Sequence, residues 1–174
     1  STAIAALITS PEPAKNVTAA SEKISNFLSF AGFYALSVRL SEWMLEYHQN
    51  RLGKNHPDTL NACITLVKMY LQAGNPNLAE PLASWAYEGF TRLHGSGAIE
   101  TMKSMNRLGV AKYLLGYYDE AIAIFDELDE ILSVPGNSNR HLSATIHRNR
   151  GEIAEIESHF AQALQEYEKS RKIY

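Results

Sequence analysis

The chain has one cysteine in 174 residues, Cys63. That excludes an internal disulfide and a CxxC zinc site. Cys63 sits in an apolar helical stretch and reads as a buried, unreactive thiol, which suits a reducing compartment and a cytoplasmic location. Long apolar runs are also missing: none approaches the roughly 18 residues of a membrane span. The opening STAIAALITSPEP is apolar but has no basic flank, so it is not read as a signal peptide. It reads instead as the tail of a helix ended by Pro11 and Pro13. Nor is there an excess of positive charge. Against 19 Asp and Glu stand 16 Lys and Arg, a formal net charge of −3, which gives no general attraction to phosphate. Neither nucleic acid nor an anionic membrane is an expected partner.

Signatures of chemistry are equally scarce. Six histidines invite a search for metal ligands. His141 and His147, six apart, do not share a helical face as i, i+4 residues would, and no carboxylate completes an HExxH. HGSG at 94–97 lacks the spacing of a nucleophile elbow, and GKNHPDT lacks the leading glycine and the following hydroxyl of a phosphate loop. In LGKNHPDTL, residues 52–60, His56 and Asp58 could be an acid–base pair. A His-Pro-Asp string points its side chains apart, however, and no nucleophile stands nearby. No catalysis, cofactor or metal is expected.

What the chain does have is a period. Apolar residues make up 45% and charged residues 20%, ordinary for a folded protein. Gly32, Gly74 and Gly116 are 42 apart, and the next place in that series is Ser158. Two residues after each come Tyr34, Pro76, Tyr118 and Phe160; five after come Ser37, Ala79, Ala121 and Ala163; nine after come Ser41, Ala83, Phe125 and Tyr167. Gly53 and Gly95 share the spacing, and Gly136 falls one residue from the next place.

The period predicts repeats at 14–55, 56–97, 98–139 and a shortened 140–174, with 1–13 the end of a preceding one. Each repeat reads as two helices. TLNACITLVKMYLQ and TMKSMNRLGVAKYLL carry apolar residues at helical spacing, as in Met102, Met105, Leu108 and Leu115. A glycine suits the left-handed turn that follows. Second helices are NLAEPLASWAYEGFTRL, YDEAIAIFDELDEIL and FAQALQEYEKSRKIY, with Asn77 or Asp119 as candidate caps. Pro76 and Pro135-Gly136 are assigned to loops. HPDT then begins a first helix: Pro57 presets its first turn, and Asp58 or Thr59 can accept from unpaired amides. Trp43, Trp85 and Phe90 read mainly as packing residues, Trp43 having a contact surface as its alternative. The acidic run DEAIAIFDELDE reads as a wet helix face.

HPDTL (56–60), MYLQAG (69–74) and LAEPL (78–82) together resemble the tetratricopeptide repeats of kinesin light chain, which have a spacing of about 42 residues. The third repeat keeps Leu108-Gly109, Gly116, Tyr118 and Ala121-Ile122; the fourth keeps Gly151, Phe160 and Ala163; the first holds chiefly Gly32 and Tyr34. The resemblance implies an all-α, right-handed superhelical solenoid of antiparallel helix pairs whose first helices line a concave surface. In that family a first helix often carries Asn-Asn at its middle, facing the groove. Here those positions are Glu22-Lys23, Ile64-Thr65, Asn106-Arg107 and Arg148-Asn149, a departure in the first two repeats.

Groove positions follow from the repeat register. They are Asn61 and Lys68, then Lys103, Asn106, Arg107, Val110 and Tyr113, then Thr145, Arg148, Asn149 and Glu152. The expected binding set is Asn61, Lys68, Lys103, Asn106, Arg107, Arg148 and Asn149. Amides can hold an extended backbone, and Arg can grip a carboxylate with two parallel bonds. The function this predicts is a non-catalytic protein-interaction module that takes a peptide or protein segment, acidic in character, in the groove. The alternative is a regulatory or ligand-sensing segment of a larger multidomain signalling or NTPase protein. Self-association through uncapped end helices is a further expectation.

Overall fold

The computed structural model describes residues 14–173. Every regular element among them is an α-helix. In chain order they are α1 (Ala14–Phe30), α2 (Tyr34–Leu52), α3 (Pro57–Gln72), α4 (Pro76–His94), α5 (Ile99–Leu114), α6 (Tyr118–Ser133), α7 (Arg140–Ile156) and α8 (Phe160–Ile173). The expectation for residues 1–13 lies outside the described residues. No described helix is long and apolar enough to cross a membrane.

The turns repeat as the period requires. Gly32, Gly74 and Gly116 have φ of 84°, 74° and 82°, and Ser158, at the fourth place, is the one described non-glycine with positive φ, at 63°. Each turn closes with the same pair of backbone bonds that ends a helix in a left-handed residue. Asn75 N–H donates to Tyr70 C=O and Gly74 N–H to Leu71 C=O; Tyr117 N–H donates to Lys112 C=O and Gly116 N–H to Tyr113 C=O. His159 N–H on Ala154 C=O and Ser158 N–H on Glu155 C=O repeat the pattern. Between repeats, Thr59 Oγ1 donates to Gly53 C=O and Thr101 Oγ1 to Gly95 C=O, both at 2.8 Å. Two buried hydroxyls 42 residues apart therefore anchor the starts of α3 and α5 to the glycines before them.

The chain forms two compact units, Ser1–Asn75 and Pro76–Tyr174. The boundary falls between α3 and α4. In the first unit α1 packs on α2 and α3, and α2 packs on α3. Its core includes Met44, Leu45, Leu60, Cys63, Leu66 and Met69. Small hydroxyl residues fill the place where α1 meets α2: Ser25, Ser29, Ser37 and Ser41 are buried, and Ser41 donates to Ser25 at 3.1 Å. In the second unit α4 through α8 pack in succession, and α5 also touches α7. Met102, Met105, Phe125, Leu128, Leu142, Ile146 and Ile153 make its core.

Four local expectations are corrected. At the start of α3 the capping group is His56, whose Nδ1 accepts from Asp58 N–H at 3.2 Å, and Thr59 is a donor. Asn77 and Asp119 each stand at the second residue of a helix, inside it; the residue before α6 is Tyr117, which makes no side-chain cap. Pro76 is the first residue of α4 and not a loop residue, a place where its missing N–H costs nothing. The acidic run is only partly a wet face. Asp126 and Asp129 both pair with the nearly buried guanidinium of Arg150 on α7, and Glu120 pairs with Lys112 on α5 at 2.9 Å.

Candidate partner-binding face

The side-by-side packing of α5 and α7 in the second unit sets five of the expected site residues on neighbouring helices. Lys103 is exposed and Arg107 half-buried on α5; Arg148 is exposed on α7. Asn106 and Asn149 are more deeply placed than their expected role suggests, with 5% and 2% of their surface exposed. Neither the Asn106 Oδ1 nor the Asn149 Nδ2 has a hydrogen-bond partner among the described residues. One is an acceptor and the other a donor. A buried amide with an idle atom is costly unless something completes it.

Arg107 stands out by charge. Burial pulls its guanidinium below the ordinary arginine value, and no carboxylate acts on it. Among the described residues it has no ion pair. Arg148 differs: its Nε lies 3.6 Å from Glu152 one turn along α7. Glu152 also reaches α5. Burial, with the charge and hydrogen bond of Glu152, pushes the Tyr113 phenol up, and Arg148 works in the other direction. On α8, the Tyr167 hydroxyl donates to Glu155 Oε2 at 2.8 Å. Burial and that bond push its pKa to about 12. Val110, half-buried, and Leu114, exposed, complete the outer strip of α5.

The remaining two expected residues belong to the first unit. Asn61 is exposed on α3 beside a small cleft lined by Ser21, Ser25, Ser41 and Met44. Lys68 is engaged within its own unit, its Nζ donating to Asn26 Oδ1 on α1 at 2.6 Å. Asn26 was not among the expected residues. It precedes Lys68 by 42, so the register that placed Lys68 also points to it.

The helical fold matches known repeats. The tetratricopeptide repeat family model matches residues 101–128, from the first turn of α5 into α6. No curated protein matches the chain significantly. Among solved structures, BtubC (BKLC) from P. vanneervenii superposes with a TM-score of 0.74 at 17% identity, over 92% of this chain and 64% of that one. The chain thus spans somewhat under two thirds of BtubC. The kinesin light chain nearly identical TPR-like repeats of Podosopora anserina superpose with a TM-score of 0.69 at 14% identity, over 94% of this chain and 97% of that one. The fold is all-α and of the tetratricopeptide type found in kinesin light chain-like proteins. Such repeats are generally protein-interaction modules and typically non-catalytic scaffolds.

Proposed function

We propose that the face formed by α5 and α7 binds an extended segment of a partner protein through an acidic side chain. The observation that carries this reading is Arg107: a half-buried guanidinium with no counter-ion among the described residues. Taking a charge out of water without a partner is costly, and a ligand carboxylate would supply the missing pair with two parallel bonds. Lys103, one turn earlier and exposed, adds charge on the same strip. Asn106 and Asn149 support the second half of the proposal. An extended backbone offers both C=O and N–H groups; the idle donor and acceptor of these amides are buried, and an outward turn of each side chain would bring them to it. No chemistry is asked of the face beyond holding, so the module works as a non-catalytic scaffold.

The test uses the intact chain and acidic peptides, each paired with its Asp→Asn counterpart. Wild type should prefer the acidic member of each pair, and Arg107→Glu with Arg148→Glu should reduce affinity by about ten-fold or more. Arg107→Glu alone should account for most of the loss, because Arg148 already has Glu152 beside it. Unchanged affinity in the double variant would remove both arginines from the site.

A further inference from the structure

The α5–α7 face is polarised along its helices. Lys103, Arg107 and Arg148 stand towards the N-terminal ends and middles of α5 and α7, accompanied there by Glu100. Towards the C-terminal ends stand Glu152 and Glu155, with Tyr113 and Tyr167 against them. The cations at those levels, Lys112 and Arg150, are paired with Glu80 and Glu120 and with Asp126 and Asp129. The repeat register makes these levels equivalent: Arg107 matches Asn149, Val110 matches Glu152, and Tyr113 matches Glu155, each 42 residues on. Six positions separate Arg107 from Tyr113, a rise of ~9 Å on one helix.

An extended segment lying across both helices sends successive side chains to opposite sides, one set towards each helix end. The two sets then meet opposite charge. We infer that the preferred partner segment alternates acidic and basic residues, its acidic side chains at Lys103 and Arg107 and its basic ones between Glu152 and Glu155. This rests on the binding reading above and adds a second requirement to it. Two observations support the basic half. Glu152 and Glu155 are one turn apart on α7; Glu152 acts on both phenols, and Glu155 accepts from the Tyr167 hydroxyl. Tyr113 and Tyr167, both half-buried, stand beside these carboxylates, and an aromatic ring attracts a cation. Among the described residues the cation paired with Glu152 is Arg148, exposed and 3.6 Å away, so a ligand cation can share or displace it.

Three fluorescein-labelled synthetic peptides of equal length test this on the full chain at low salt. One alternates Asp and Lys; one has Ser in place of every Lys; one has Ser in place of every Asp. The alternating peptide should bind about five-fold tighter than the Asp–Ser peptide. Glu152→Gln with Glu155→Gln should erase that advantage and make Asp–Ser binding slightly tighter, because Arg148 loses the carboxylate beside it. Thermal melting confirms that the variant is folded. If the Asp–Ser peptide binds through Arg107 as tightly as the alternating one, the basic half of the inference is wrong and the acidic half stands. If none of the three binds, both readings fall together.

Discussion

Gly109 on α5 and Phe125 on α6 are a size-matched pair. A Cβ placed on Gly109 would meet Phe125 Cε1 at 2.6 Å, Phe125 Cζ at 3.0 Å and Ile124 Cγ2 at 3.1 Å. The pair recurs one period on. A Cβ on Gly151 would meet Tyr167 Cε1 at 2.6 Å and Cδ1 at 2.7 Å. Both glycines sit inside helices, where glycine is unfavourable, so the ring opposite must account for them.

The two sites should respond differently to alanine. Phe125 is fully buried and has nowhere to go, so Gly109→Ala should cost about 1–3 kcal/mol in overpacking, against a helix-propensity gain of about 1 kcal/mol. Tyr167 is only half-buried, and its ring can swing outward. Gly151→Ala should therefore be milder. Urea unfolding of both variants checks the order, and Gly109→Ala with Phe125→Leu should recover part of the loss. Equal midpoints for the two single variants would mean that the aromatic rings do not decide the matter.

Most of the architecture was legible because its devices recur at one spacing. Gly32, Gly74 and Gly116 mark left-handed helix ends, and the register extended the series to Ser158, which takes the same conformation without being glycine. What stayed hidden was set by contacts between helices. Nothing local to Asn106 and Asn149 shows that neighbouring helices bury them, or that the deeper of the two leaves a donor idle. The pairing of Asp126 and Asp129 with Arg150 joins α6 to α7 over more than twenty residues, so the run alone looked solvated. Cap assignment failed for a different reason. Asn77 and Asp119 follow residues that already have helical backbone, and His56 did the work expected of a hydroxyl or carboxylate.

Cys63 offers a reporter for the first unit. It is fully buried, and burial pushes its thiol up to about 12. Because the thiolate is the reacting form, modification at neutral pH should be slow in the native protein. Its rate should rise with urea along the transition of α1–α3, as seen by labelling with a chromogenic disulfide reagent. Complete labelling without denaturant at the rate of a model thiol would contradict this burial.

Acid should loosen the contact between α7 and α8. Glu166 is buried, which on its own would push its carboxyl up. Hydrogen bonds from Lys169 at 2.6 Å and with His147 Nδ1 at 2.8 Å outweigh that and hold it below the usual glutamate range. A carboxyl whose folded pKa is depressed stabilises the fold above its unfolded pKa, and the contribution is lost as pH falls through the folded one. Wild type should therefore lose stability relative to Glu166→Gln below about pH 4.5. Unfolding midpoints of both proteins from neutral to acidic pH give the difference curve. A flat difference would place the Glu166 interactions among those that contribute nothing net.

Arg107 should show a trade between stability and binding. Its guanidinium is desolvated and has no ion-pair partner among the described residues, so the free protein carries an uncompensated cost. Arg107→Met keeps the aliphatic stem and removes the charge. Stability should stay level or rise by up to about 1 kcal/mol, while affinity for an acidic peptide falls. Lys103→Met is the control: its ammonium is exposed, so the substitution should leave stability unchanged and weaken binding less. Melting curves and peptide titrations on the same preparations separate the two effects. A stabilised protein that no longer binds would mean that the cost at Arg107 is held for a ligand. Marked destabilisation would instead reveal a structural arginine, and the acidic-segment reading would lose its main support.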